Sequence, residues 1–221
     1  MTTLSRRGLL ATTGAVSLAG VLAACADTGA DGKAVASSSA SDADYDKAIN
    51  SGPVAPDDVV AASAWAAAVK QAGKLVTGGT KTSEVFSWED SKTKKISGFD
   101  AAIAQALARY IIGGDDARSL LEVQQVTSDT RETVLVNGTV KAVVATYTIT
   151  PERAKKIDFA GPYYASSQAI LVKADNQDIT GVDTLTGDVA VQSNSSSAAA
   201  LKKHAPKATA KPFDTQAKCV A

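Results

Sequence analysis

One histidine and two cysteines are few ligands for a chain of 221 residues. A structural zinc site needs four nitrogen or sulfur ligands, so a zinc framework is excluded. An excess of charge is missing too. Lys+Arg number 23 and Asp+Glu 23, a balance that excludes a basic nucleic-acid-binding chain. With 45% hydrophobic residues the chain is no charged disordered tail either. There is no Walker loop and no Gly-x-Gly-x-x-Gly run, and Ser193-Asn194-Ser195-Ser196-Ser197 lacks the flanking glycines of a nucleophile elbow. His204 lies among lysines with no acid nearby, which describes a solvated side chain and not a partnered catalytic base. The chain therefore reads as a non-enzyme with no metal and no cofactor, long enough for one large domain or two small ones.

What is present begins with an address. Ser5-Arg6-Arg7-Gly8-Leu9-Leu10 is basic, residues 8–24 carry no charge, and Leu22-Ala23-Ala24-Cys25 places small residues before a cysteine. The uncharged stretch is short for a spanning helix of about 20 residues. The order of these parts resembles a bacterial lipoprotein signal peptide, residues 1–24, with Cys25 as the lipidated mature N-terminus. Its paired arginines resemble a twin-arginine export signal. That resemblance implies an extracytoplasmic chain anchored to the outer face of the cell membrane. It also assigns the two cysteines to a lipid site and a leftover thiol, Cys219, and not to a disulfide.

Residues 25–56 are rich in Ala, Ser, Asp and Gly, and too poor in large apolar groups to offset ordering entropy, so a flexible tether is expected. Beyond it strands alternate with helices. A helix is expected over residues 57–70 and a strand over 74–77, followed by a polar hairpin-like region at 89–97. Phe99, Ile103, Leu107 and Tyr110 or Ile111 recur at helical spacing, with Asp100 suited to the helix dipole. Residues 121–126 read as a strand. Asp129 and Glu132 have capping-box spacing for a helix that stops at Asn137-Gly138. Strands are then expected over 141–147, 169–173 and 188–192, with a capped helix opening at Thr150-Pro151-Glu152. The favoured class is α/β with mainly parallel pairing.

The stretch Ala145-Thr146-Tyr147-Thr148-Ile149-Thr150-Pro151-Glu152-Arg153 carries the most chemistry. In a strand, Thr146 and Thr148 share a side at the C-terminal edge, where open α/β sheets bind ligands. Thr150 caps a helix whose N–H groups suit an anion, and Arg153 can fork onto a carboxylate. Equally, this is a capped helix with a solvated arginine and threonines that merely fill strand positions.

Thr148-Ile149-Thr150-Pro151-Glu152-Arg153-Ala154-Lys155-Lys156-Ile157-Asp158-Phe159-Ala160-Gly161-Pro162-Tyr163-Tyr164 resembles the hallmark of the solute-binding proteins, family 3, of amino-acid ABC transporters. Gly98-Phe99-Asp100 is similar to part of that family's signature. Ser128-Asp129-Thr130-Arg131-Glu132-Thr133 and Ala145-Thr146-Tyr147 resemble its glutamate-binding, actinobacterial branch. The resemblance implies a periplasmic-binding-protein-like type II fold of two α/β lobes that close on an amino acid. The first lobe would be residues 57–162, the hinge 163–167 and an incomplete second lobe 168–221. It implies that Arg153 grips the α-carboxylate with Thr148, that Arg131 takes a side-chain carboxylate with Thr146, and that Ser193, Ser195 and Ser196 add hydroxyls on closure. The bland reading of Arg131 is a surface helix residue paired with Glu132 or Asp129, a contact worth little. The implied partners are a glutamate, aspartate or glutamine ligand, an ABC permease and the membrane through the lipid. No nucleic acid is implied, and a monomer is expected.

The sequence departs from the family pattern in places. Ala101 and Ala102 follow Gly98-Phe99-Asp100, Lys141 stands where an acid is common, Asn194 occupies a usual glycine position, and Ser83 and Ser128 fall near positions that carry stacking aromatics in some relatives. The final residues resemble the start of a second-lobe helix, ahead of the strand that in the family carries the acid for the ligand's ammonium. The alternative expectation is thus a truncated remnant or partial gene product that no longer binds ligand. Cys219 has no cysteine at its family partner position near Ala190, so a free thiol is expected.

Overall fold

The computed structural model describes residues 41–221. The expected signal peptide, Cys25 and the first part of the tether lie outside the described residues.

The remainder of the expected tether is not flexible coil. α1 (Asp42–Asn50) is capped by Ser41, whose hydroxyl accepts from the Asp44 N–H while the Asp44 side chain reaches back. It buries Ile49, and Ala55 beyond it is buried as well. Polar side chains fix the helix in place. Tyr45 Oη donates to Gln105 Oε1 (2.8 Å) and to the Gly98 carbonyl (3.2 Å), and Arg118 lies over the Tyr45 ring, 4.5 Å from its centroid. Composition alone misjudged this segment because its order comes from these distant partners and not from apolar residues of its own.

The expected helix at 57–70 is two helices, α2 (Asp57–Ala61) and α3 (Ala64–Ala72), because Ser63 starts a new cap on the Ala66 N–H. β1 (Leu75–Gly79) follows and is the central strand of the first sheet. A small antiparallel sheet, β2 (Thr82–Ser83), β3 (Ser87–Glu89) and β4 (Ile96–Ser97), leads into α4 (Phe99–Ile112). β5 (Leu121–Gln125) pairs with β1 in parallel, Leu75 opposite Leu121 and Gly79 opposite Gln125. α5 (Arg131–Val136) returns the chain to β6 (Ala142–Val143), parallel to β1 on its other side. The order β5-β1-β6 is that of an open parallel sheet.

Against this sheet lies a core of Val60, Val69, Leu75, Ala108 and Ile111. The buried face of α4 is Ala101, Ala104, Ala108 and Ile111, whereas Phe99 and Tyr110 from the expected stripe are exposed. α4 is packed by α1 as well as by the sheet, so small residues occupy the close approaches. Its start needs Gly98. With φ of 117° and a Cβ that would come within 2.6 Å of the Phe86 carbonyl, no other residue fits there.

Further along are α6 (Pro151–Ala154), then β7 (Gly187–Gln192), α7 (Ser197–His204), β8 (Ala208–Phe213) and α8 (Gln216–Val220). β7 and β8 pair in parallel across α7, so every pairing between successive α/β units is parallel, as expected. Two of the expected strands depart from the expectation. Residues 169–173 form no strand, because among the described residues no neighbour offers them a ladder, and Leu171 is 77% exposed. The strand expected over 141–147 ends at Val143, because the chain turns at Thr146 with φ of 47°. Among the described residues Cys219 forms no disulfide.

The first sheet is the stability centre. Leu75 is fully buried at the middle of the core. Leu75→Ala is expected to lower the unfolding free energy by about 2–5 kcal/mol, read by urea denaturation. A loss under about 1 kcal/mol would show that the core does not centre on β1.

Candidate functional site

The turn at Thr146 sets the site. β6 delivers Val144, whose N–H donates to the Gly78 carbonyl (2.9 Å), and then the chain leaves the sheet. The Thr146 N–H is taken by Asp100 Oδ2 at 2.7 Å instead of by a neighbouring strand. A left-handed φ is uncommon for a β-branched residue, so this bend requires such external support. Thr146 and Thr148 consequently do not share the side of a continuous strand.

Beyond the bend Tyr147 lies between two guanidinium groups. Arg131 Cζ is 3.9 Å from the Tyr147 ring centroid and Arg153 Cζ is 4.6 Å from it. Cation–π attraction to a shared ring offsets part of the repulsion between the two cations. Arg131 is 5% exposed, so the surface-residue reading is excluded. Its Nη1 donates to the Ala145 carbonyl at 3.0 Å, its Nε has no partner, and among the described residues it pairs with no carboxylate. It is the first residue of α5, where the helix dipole disfavours a cation. Burial, reinforced by Arg153, pushes its pKa down to about 10. Tyr147 and the nearby Glu132 offset part of this, but burial and Arg153 outweigh them, so the charge of Arg131 is a net cost to the folded chain.

Arg153 is held differently. Thr150 caps α6 as expected, accepting from the Arg153 N–H (3.3 Å), which aims the side chain back over the bend. Its Nη1 donates to the Thr148 carbonyl (2.7 Å) and its Nη2 to the Asn194 carbonyl (2.8 Å), the latter in the loop after β7. Thr148 Oγ1 lies 3.3 Å from Ser196 Oγ, and Asn194 Nδ2 donates to Asp129 Oδ1 at 2.5 Å. The loop after β7 thus meets the end of the first sheet at this point.

Of the expected residues, Arg131, Arg153, Thr148 and Ser196 come together. Thr146 takes part through its backbone. Ser193 is turned away, since its amide and hydroxyl both donate to the Phe213 carbonyl (2.7 and 3.1 Å). Ser195 Oγ accepts from the Ser197 N–H and serves the start of α7. Asp129 and Glu132 do not form the expected capping box: α5 is capped at Thr130 without a side-chain bond. Glu132 instead accepts from Lys156 Nζ (2.7 Å), which lowers its pKa, and lies 3.4 Å from Tyr147 Oη. These groups line an open polar cavity of about 200 Å³ formed by Ser128, Asp129, Glu132, Thr133, Tyr147, Arg153, Lys156 and Asn194. Arg131 is not part of that lining, although it contacts the ring of Tyr147, which is. The sequence reading missed Tyr147 and Asp100. Asp100 could have been found, because it is an acid four residues before Ala104 and eight before Ala108, on the face that the helix buries.

The family model for bacterial extracellular solute-binding proteins, family 3, matches residues 75–216. A glutamine-binding protein of Geobacillus stearothermophilus is 35% identical over 150 residues, 67% of this chain and 56% of the relative. The glutamate-binding protein GluB of Corynebacterium efficiens is 31% identical over 150 residues, 66% of this chain and 50% of the relative. Among solved structures, the ancestral amino acid-binding protein AncCDT-1, a precursor of cyclohexadienyl dehydratase, aligns with a TM-score of 0.64 at 33% identity, over 72% of this chain and 69% of that one. An ancestral arginine-binding protein bound to glutamine aligns with a TM-score of 0.59 at 34% identity, over 67% and 63%. The chain spans about half the length of the curated relatives it matches.

If Arg131 is kept for a ligand and not for the fold, removing its charge should not harm the free chain. Its folded-state pKa is depressed, so at every pH below about 10 the buried cation opposes folding. Arg131→Met is expected to leave the melting temperature equal or higher, measured by circular dichroism. A clear fall would make Arg131 a structural residue.

Proposed function

The chain belongs to the bacterial extracellular solute-binding proteins of family 3, and from that premise we propose that it is the substrate-binding component of an amino-acid ABC importer, with glutamate as the preferred ligand. The fold is the type II periplasmic-binding-protein class, α/β, that this family and its structural neighbours share. The relatives are named as binding proteins and not as enzymes.

The observation that carries the reading is the pair of guanidiniums on Tyr147, one of them buried without a counter-ion among the described residues. A ligand anion is one way to offset the cost of a buried cation, and perturbed charged groups cluster at functional sites. A dicarboxylic amino acid brings two anionic groups and one ammonium. In this reading Arg153 takes the α-carboxylate with Thr148 beside it, and Arg131 takes the side-chain carboxylate through its free Nε after Tyr147 yields. Asp129, which lines the same cavity as Arg153, supplies the negative partner for the ammonium. Ser196 joins from the loop after β7. Residues 57–162 and 168–221 act as the two lobes and 163–167 as the hinge. Cys25 carries the lipid that holds the domain at the outer face of the membrane, and a permease receives the ligand.

A second reading has glutamine as the ligand, favoured by the 35% identity to glutamine-binding proteins of Geobacillus stearothermophilus and Bacillus subtilis. A carboxamide would offer Arg131 an acceptor without a charge. Titration calorimetry with L-glutamate, L-glutamine and L-lysine separates the cases. Glutamate is expected to bind at least about ten-fold more tightly than glutamine, with lysine silent, because pairing a buried guanidinium with a carboxylate exceeds a neutral hydrogen bond. Tighter binding of glutamine selects the second reading. No heat from any amino acid at millimolar concentration overturns both.

A further inference from the structure

At the bend a single peptide group, Ala145–Thr146, is hydrogen-bonded at both ends. The carbonyl of the Ala145–Thr146 peptide accepts from Arg131 Nη1 at 3.0 Å. The N–H of the same peptide donates to Asp100 Oδ2 at 2.7 Å. Asp100 is 1% exposed and Arg131 is 5% exposed, and neither has an ion-pair partner among the described residues. A buried anion and a buried cation thus face each other through one amide. Each hydrogen bond polarises the peptide in the sense that strengthens the other. The second oxygen of Asp100 accepts from Tyr163 Oη at 3.0 Å, so both carboxylate oxygens are engaged. Burial raises the Asp100 pKa while those two bonds oppose the rise, which fits a carboxylate retained for what it holds.

We propose that Asp100 is a positioning residue of the ligand site, acting through the Ala145–Thr146 peptide to hold the bend that presents Tyr147 and Thr148 and to orient the Arg131 guanidinium. It does not touch the ligand. Its location on α4 accounts for the supporting contacts around it. Gly98 allows the tight entry that brings Asp100 under the bend, and Tyr45 on α1 donates to the Gly98 carbonyl at 3.2 Å. The same geometry explains how a β-branched residue holds a φ of 47° at Thr146.

The proposal rests on the amino-acid-binding reading above for its consequence, but its physical core is testable without a ligand. In the full chain labelled with nitrogen-15, the Thr146 amide proton is expected downfield, as for a donor to a carboxylate. In Asp100→Asn that proton should move upfield, and the Arg131 Nε–Hε signal should move with it although Arg131 does not contact Asp100. A Thr146 amide that does not respond, or an Arg131 signal that stays still, overturns the proposal whether or not the chain binds an amino acid. With L-glutamate, Asp100→Ala is expected to weaken binding at least about ten-fold, and Asp100→Asn, which keeps an acceptor for Thr146, to recover most of it. Unchanged affinity in Asp100→Ala while wild type binds contradicts the positioning role and leaves the binding function standing. Absence of binding in wild type contradicts the binding function, and the Arg131 signal still decides the coupling.

Discussion

A guanidinium taken out of water, with no carboxylate paired to it among the described residues, is the constraint around which this site is organised. Arg131 is 5% exposed, opens a helix whose dipole disfavours it, and lies close enough to Arg153 to share one tyrosine ring. Each neighbouring feature reduces that cost without removing it. The Tyr147 ring offers its negative face, the Ala145 carbonyl takes one N–H, and Asp100 places a negative charge at the far end of that same peptide. What is left over is a site in which a carboxylate that reaches Arg131 would be stabilised by charges already in place.

The fold supplies this arrangement with few parts. β1 is central to a parallel sheet, α4 crosses it on a face of alanines, and Gly98 sets the entry of α4 so that Asp100 reaches the exit of β6. The sheet therefore ends where the site begins, at the carboxyl edge where open α/β sheets place ligands. From the other side the loop after β7 contributes the Asn194 carbonyl, its amide to Asp129, and the Ser196 hydroxyl. Those contacts are polar and exposed, hence weak individually, as suits parts that must separate to admit a ligand.

Much of this was legible in the residues, and the failures have physical causes. The strand expected at 74–77 is found at Leu75–Gly79, the helix expected from the apolar spacing is found at Phe99–Ile112 although Phe99 and Tyr110 are exposed, and the Thr150 cap follows from its hydroxyl, proline and acid in order. Arg131 and Arg153 were singled out by resemblance to a family, and spacing alone left Arg153 undecided. α1 was not legible, because its order comes from Tyr45, Arg118 and Gln105 across long sequence separations, where composition carries no information. The curtailed β6 was hidden for a similar reason: Val143-Val144-Ala145-Thr146-Tyr147 has strand propensity throughout, and only a buried acid on another element diverts it. The expected strand at 169–173 failed in the opposite way, having the propensity but no ladder partner among the described residues.

In the proposed function the buried, only partly compensated charge of Arg131 is held for a ligand carboxylate. The most direct measurement is the Arg131 Nε–Hε resonance during titration with L-glutamate. A saturable downfield movement, absent with L-lysine, is the predicted result, because the free Nε would acquire a carboxylate partner. An Arg131 signal that stays fixed while other residues report glutamate binding would contradict the account.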